Sequence, residues 1–111
     1  MGKGSFLGEF EQLVLLAVLH LGKQAYGLAV RREIMERASR DVAIGAVYAT
    51  LDRLEAKGYV TSTLAEAVAE RGGRAKRCFA ITGAGQEALR QSLHALGRMT
   101  SGLDLEAEAL S

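Results

Sequence analysis

The chain has no proline, a single cysteine and no apolar run long enough to cross a bilayer, and each shortage removes a class of protein. Without proline there is nothing of that kind to mark a linker, and no internal repeat or low-complexity stretch divides the sequence. Cys78 alone cannot close an internal disulfide, and the first residues (Met1, Gly2, Lys3, Gly4, Ser5) lack the apolar run of a secretion signal. A reducing, cytoplasmic setting is expected. The longest greasy stretch, Leu13 to Leu21, falls well short of the ~20 residues that a membrane span needs, so no membrane partner is expected. One cysteine and two distant histidines, His20 and His94, offer no metal-ligand spacing. Cys78, beside Phe79 in a predicted strand, reads as a small buried hydrophobe rather than a nucleophile. Neither a cofactor nor an enzymatic activity is expected.

Net charge is scarce as well: 14 Lys and Arg against 13 Asp and Glu leave +1. An argument for an anionic partner must therefore rest on where the charges cluster. Residues 23–77 hold 11 Lys and Arg against 7 Asp and Glu, and acids gather near the end, at Asp104, Glu106 and Glu108. The 111 residues, 49% hydrophobic and 24% charged, suit one folded domain around one core.

From Glu9 to Leu21, Phe10, Leu13, Val14, Ala17 and Leu21 fall at helical spacing, while Leu15, Leu16, Val18 and Leu19 fill the other faces. A helix apolar nearly all round must be covered from more than one side, by the rest of the domain and by a second subunit. Gly22 stops it. A second, amphipathic helix is predicted over about Ala25 to Ala38, with Tyr26, Val30, Ile34 and Ala38 inward. After Ser39, Arg40 and Asp41 comes a third, whose inward face is Ile44, Val47, Leu51 and Leu54 and which ends at Gly58. Three helices joined by short polar turns make the core of a helix-turn-helix domain.

The period then changes. Tyr59 to Leu64 and Arg77 to Thr82 read as two strands, joined by the polar loop Glu66 to Lys76 with Gly72 and Gly73 in it, a long hairpin or wing. Thr82 can cap a last helix starting near Ala84. In it Leu89, Leu96, Leu103 and Leu110 recur every seven residues with Leu93 and Met99 between them. Gly97 and Gly102 weaken it, so a helix to about Thr100 with a frayed continuation is expected. The fold class is α+β, mainly α: a winged helix-turn-helix with a three-helix core, a two-stranded wing and a C-terminal dimerisation helix. Residues 1–82 would form the DNA-binding unit and 83–111 the dimerisation helix and tail.

The third helix is the candidate reader of DNA. Gly45, Ala46, Tyr48, Ala49, Thr50, Asp52 and Arg53 remain once the buried stripe is removed. Small residues there let the backbone approach the major groove, Thr50 suits a base edge or methyl group, and Tyr48 and Arg53 suit phosphate oxygens. The same small residues would also serve close helix packing. In the wing, Arg71, Arg74, Lys76 and Arg77 cluster around two glycines with no acid among them, which suits a minor groove or flanking phosphates, as it also suits a solvated loop. Lys23 and Tyr26 by the second helix complete the expected DNA-facing set with Gly45, Ala46, Tyr48, Ala49, Thr50, Arg53, Arg71, Gly73, Arg74 and Lys76. The expected dimer interface is Phe10, Leu13, Leu16, Leu89, Leu93, Leu96, Met99 and Leu103.

Several short strings, in this order, resemble the PadR family of bacterial transcriptional regulators. They are Tyr26-Gly27, Gly45-Ala46-Val47-Tyr48 followed by Leu51, Arg53, Leu54 and Glu55, Lys57-Gly58-Tyr59-Val60, Gly73-Arg74 with Phe79, and Ile81-Thr82-Gly83-Ala84-Gly85. The resemblance covers about residues 9–95. It implies a homodimer held by the last helix together with the first, and a palindromic operator bound by two reading helices, most readily as a repressor. It implies further that Tyr48 is the reading-helix tyrosine near the DNA backbone and that Arg74 with Lys76 is the basic wing. Ala46 and Ala49 depart from the Thr and Pro that the family commonly carries there, which bears on base preference. The brief C-terminal region resembles the subgroup with a single dimerisation helix and no dedicated effector domain. A winged helix can instead be a protein-interaction module, a use that does not need four cations in its loop. A small apolar effector between first and last helices, at the dimer interface, would regulate by changing the spacing of the two wings.

Overall fold

A computed structural model describes residues 6–64 and 76–105 of the chain. Among them are four helices and one antiparallel pair of strands: α1 (Glu9–Leu21), α2 (Gly27–Ala38), α3 (Ile44–Ala56), β1 (Val60–Leu64), β2 (Arg77–Ile81) and α4 (Gly83–Thr100), with a 3-10 turn, Gly22–Gln24, between α1 and α2. The expected class and element order are those observed. Arg71, Gly73 and Arg74 lie outside the described residues.

The core is the inward stripe of every element. Val14, Leu15, Ala17 and Val18 of α1 meet Val30 and Ile34 of α2, Val47, Leu51 and Leu54 of α3, Val60, Phe79, and Ala88 and Leu89 of α4. α1 is central, as its all-round apolar pattern implied, with Leu13, Leu16 and Leu21 half-buried against the same core. α2 starts two residues later than the periodicity suggested, because Tyr26 is its N-cap in extended conformation. Ala38, expected inward, is exposed at its end.

The hairpin register pairs Val60 with Ile81, Ser62 with Phe79 and Leu64 with Arg77. The sheet is stitched to the helices by backbone bonds: Phe79 N–H donates to the Ala25 carbonyl at 3.0 Å, and Thr82 N–H to the Tyr59 carbonyl at 2.9 Å. An isolated bridge joins Tyr26 to Cys78. Thr82 caps α4 as expected, its Oγ1 accepting from Gly85 N–H at 3.0 Å. Ser92, buried on α4, donates to the Ala88 carbonyl and accepts from Leu7 N–H, both at 2.9 Å, which ties the segment before α1 to α4. Among the described residues no helix is long and apolar enough to cross a membrane.

Candidate nucleic-acid interface

α3 turns Val47, Thr50, Leu51 and Leu54 into the core. At 100° per residue the ridge directly opposite carries Gly45, Ala49, Asp52 and Ala56, with Ala46 and Arg53 on one flank and Tyr48 and Glu55 on the other. Gly45, Ala46 and Ala49 are exposed, and a Cβ built on Gly45 meets nothing within 4 Å. Helix packing within the protomer therefore does not explain their size.

Thr50 departs from expectation. It is 3% exposed, and its Oγ1 accepts from Arg53 Nη2 at 3.2 Å. The inward stripe is wider than the four residues assigned to it: position 50 lies three after Val47 and four before Leu54, the geometry of a core neighbour. Thr50 is thus excluded from the base-facing set. Arg53, on the flank of the outer face, keeps a side chain 53% exposed while its Nε lies 3.4 Å from Glu11 Oε2 on α1.

Tyr48 sits on the other flank, 37% exposed, with its ring across the first residue of α2. A Cβ at Gly27 would fall 2.3 Å from Tyr48 Cζ, so only glycine admits this ring position. Next to it, Lys76 Nζ lies 4.7 Å from the centre of the Tyr26 ring, a cation–π arrangement. Tyr26, Leu28, Tyr48, Leu64, Lys76 and Arg77 line one open groove of about 260 Å³ between the start of α2, α3 and the root of the hairpin. The structure thus brings together Tyr26, Tyr48 and Lys76 beside the small-residue ridge of α3. It leaves Lys23 apart, on the 3-10 turn, where it borders a separate groove with Leu19, Thr61, Thr63 and Cys78. Cys78 is only partly buried there and donates weakly from Sγ to the Lys23 carbonyl at 3.6 Å.

Arg77, grouped by sequence with the cations of the loop, belongs instead to the body of the protein. Its Nη1 donates to Asp52 Oδ1 at 3.1 Å, Nη2 to Glu55 Oε1 at 2.6 Å and Nε to Ser62 Oγ at 3.2 Å, while the guanidinium lies 4.9 Å over the Phe79 ring. Partial burial pulls its pKa down, and the bonds to Asp52 and Glu55 more than reverse that, so it stays charged. Ser62 in turn donates to Glu55 Oε2 at 2.9 Å. The hairpin root and α3 are therefore joined by one charge-assisted network.

A second network, missed by sequence reasoning, centres on Glu11. Its carboxylate is buried in α1, receives Lys57 Nζ at 2.8 Å, and accepts from the Gly8 backbone N–H at 3.0 Å, as in a capping box. Burial pushes its pKa up, and the bonds from Lys57, Gly8 and Arg53 outweigh burial, leaving it below the usual carboxylate range. The signal was available: an acid within an apolar helix needs a partner of opposite charge.

Of the expected interface residues, Leu89 is a correction. It is buried in the protomer's own core, because the seven-residue repeat starts on the face of α4 that packs on α1. Leu93, Leu96, Met99 and Leu103 are exposed, Met99 at 77%. Leu13 and Leu16 are half-buried, as is Phe10, which has Arg40 5.6 Å above its ring.

A model of the PadR-like family of transcriptional regulators matches residues 15–91. The chain belongs to that family. It is, by family, a DNA-binding transcription regulator and not an enzyme. Among solved structures, a PadR family transcription regulator from Clostridium difficile R20291 is 25% identical, with 84% of this chain and 95% of that one covered and a TM-score of 0.63. RosR of H. salinarum is also 25% identical, over 99% of this chain and 90% of the other, with a TM-score of 0.63. A PadR-like transcription factor from Bacteroides fragilis shares the fold at 19% identity, covering 92% and 89%, with a TM-score of 0.67. No curated protein matches this PadR-like regulator.

Proposed function

We propose that this PadR-like regulator is a cytoplasmic repressor that binds a palindromic operator as a homodimer, with residues 1–82 as the DNA-reading unit and 83–111 as the pairing helix and tail. The observation that carries this reading is the groove in which Tyr48 of the reading helix and Lys76 at the hairpin root lie together, beside an exposed ridge of Gly45, Ala46 and Ala49. A small-faced helix enters the major groove, Tyr48 reaches a phosphate, and Lys76, together with Arg71, Gly73 and Arg74 of the same stretch of sequence, contacts the flanking backbone. The exposed Leu93, Leu96, Met99 and Leu103 support pairing through α4, with Phe10, Leu13 and Leu16 of α1 at the margin. Two-fold symmetry then sets the reading helices about one helical turn of DNA apart.

A groove of about 550 Å³ between α1 and α4, whose lining includes Phe6, Leu7, Glu9, Ser92, Leu96 and Met99, supports a small, mainly apolar effector at the pairing face, which would act by changing the spacing of the two hairpins. Duplex affinity should fall steeply with salt. Replacing Arg74 and Lys76 by Ala should weaken binding to all duplexes alike, by roughly tenfold, and flatten the salt dependence. Affinity at low ionic strength no better than that of an unrelated neutral protein would overturn the reading.

A further inference from the structure

We propose that Asp52 is the residue with which the reading helix selects cytosine, its carboxylate accepting a hydrogen bond from the exocyclic N4 amine in the major groove. The proposal rests on the DNA-binding reading above and concerns what that helix reads. The outer face of α3 holds few groups able to discriminate between bases. Gly45, Ala46 and Ala49 have no polar side-chain atom, and Thr50 is turned inward. Arg53 and Tyr48 lie on the two flanks, Arg53 with its Nε 3.4 Å from Glu11 and Tyr48 against Gly27. Asp52 alone among polar residues shares the outermost ridge with Gly45 and Ala49. It follows Ala49 by about 4.5 Å along the helix axis, and its side chain is 60% exposed.

A carboxylate brought near phosphates is ordinarily repelled. Here Arg77 Nη1 occupies Oδ1 at 3.1 Å, which offsets the charge and fixes the side chain, and Oδ2 remains to accept from a base. An acceptor-only group in the major groove finds donors on cytosine N4 and adenine N6 alone. Adenine sets its N7 acceptor beside that amine and opposes a carboxylate. Cytosine does not.

Arg77 keeps a second anchor in Glu55 at 2.6 Å, so Asp52 can be removed without freeing the hairpin root. The full chain and its Asp52→Ala and Asp52→Asn variants, each with its melting temperature measured, are used to select bound duplexes from a random pool. The wild type is expected to enrich cytosine at one symmetry-related position of each half-site, with a change of that base costing about tenfold in affinity. Asp52→Ala should lose preference at that position alone and bind the altered duplexes at least as tightly as the wild type does. Asp52→Asn should move the preference toward adenine, which an amide meets at both N6 and N7. Identical preferences in wild type and Asp52→Ala overturn the proposal. Equal weakening at every position also does, since it would show that Asp52 acts only by holding Arg77. A wild type that enriches no sequence overturns the DNA-binding reading itself, and this assignment with it.

Discussion

Gly27 and Gly85 both exclude a side chain, and what each excludes decides what its replacement disturbs. A Cβ at Gly85 would fall 2.2 Å from the Tyr59 carbonyl oxygen and 2.8 Å from Ile81 Cγ1. Backbone cannot step aside, so α4 must lift from the start of the hairpin. Gly85→Ala should cost about 3 kcal/mol and lower the melting temperature by roughly 10 °C. A melting curve within a degree or two of wild type would show that α4 is not held this closely. At Gly27 the obstacle is the outer end of the Tyr48 ring, which can swing away. Gly27→Ala should leave stability within about 1 kcal/mol of wild type yet reduce duplex affinity about tenfold by displacing Tyr48. Melting and binding measured on the same sample separate the two outcomes.

At the scale of elements, Glu11 joins the start of α1 to the end of α3 through Lys57 and Arg53. Its carboxyl titrates lower in the folded chain than in the unfolded one. The stabilisation is therefore fully present above the ordinary glutamate value of 4.5 and is lost as pH falls through the lower folded value. Glu11→Gln should cost about 1 kcal/mol at neutral pH, a modest figure because Lys57 and Arg53 are themselves solvent-screened. The difference between variant and wild type should shrink as melting is followed from pH 6 to pH 3. A difference that stays constant with pH would remove the ion pair from the account. The elements themselves were legible in the residues. The period of Ile44, Val47, Leu51 and Leu54, the change to β-branched residues after Gly58 and the cap at Thr82 each reflect local physics. What lay beyond reach was which cations are paired. Arg53, Arg77 and Lys57 look like surface charges in one dimension, and only the fold brings Glu11, Asp52 and Glu55 from other elements to meet them. Leu89 shows the same limit, since a seven-residue repeat does not say which of its members the protomer keeps for its own core.

For the molecule as a whole, pairing is expected to follow the exposed ridge of α4. Leu96→Glu combined with Met99→Glu places charges on two of its most exposed apolar positions and should convert a dimer into a monomer by sedimentation at micromolar concentration, with operator affinity down by about a hundredfold as the second half-site is lost. The melting temperature of the wild type should rise with protein concentration and that of the double variant should not. Unchanged sedimentation would move the pairing face elsewhere. Arg77 has two acids to answer, Asp52 and Glu55, and only one of them faces outward. Residue 52 can therefore be exchanged for another side chain while the root of the hairpin stays latched to α3 through Glu55.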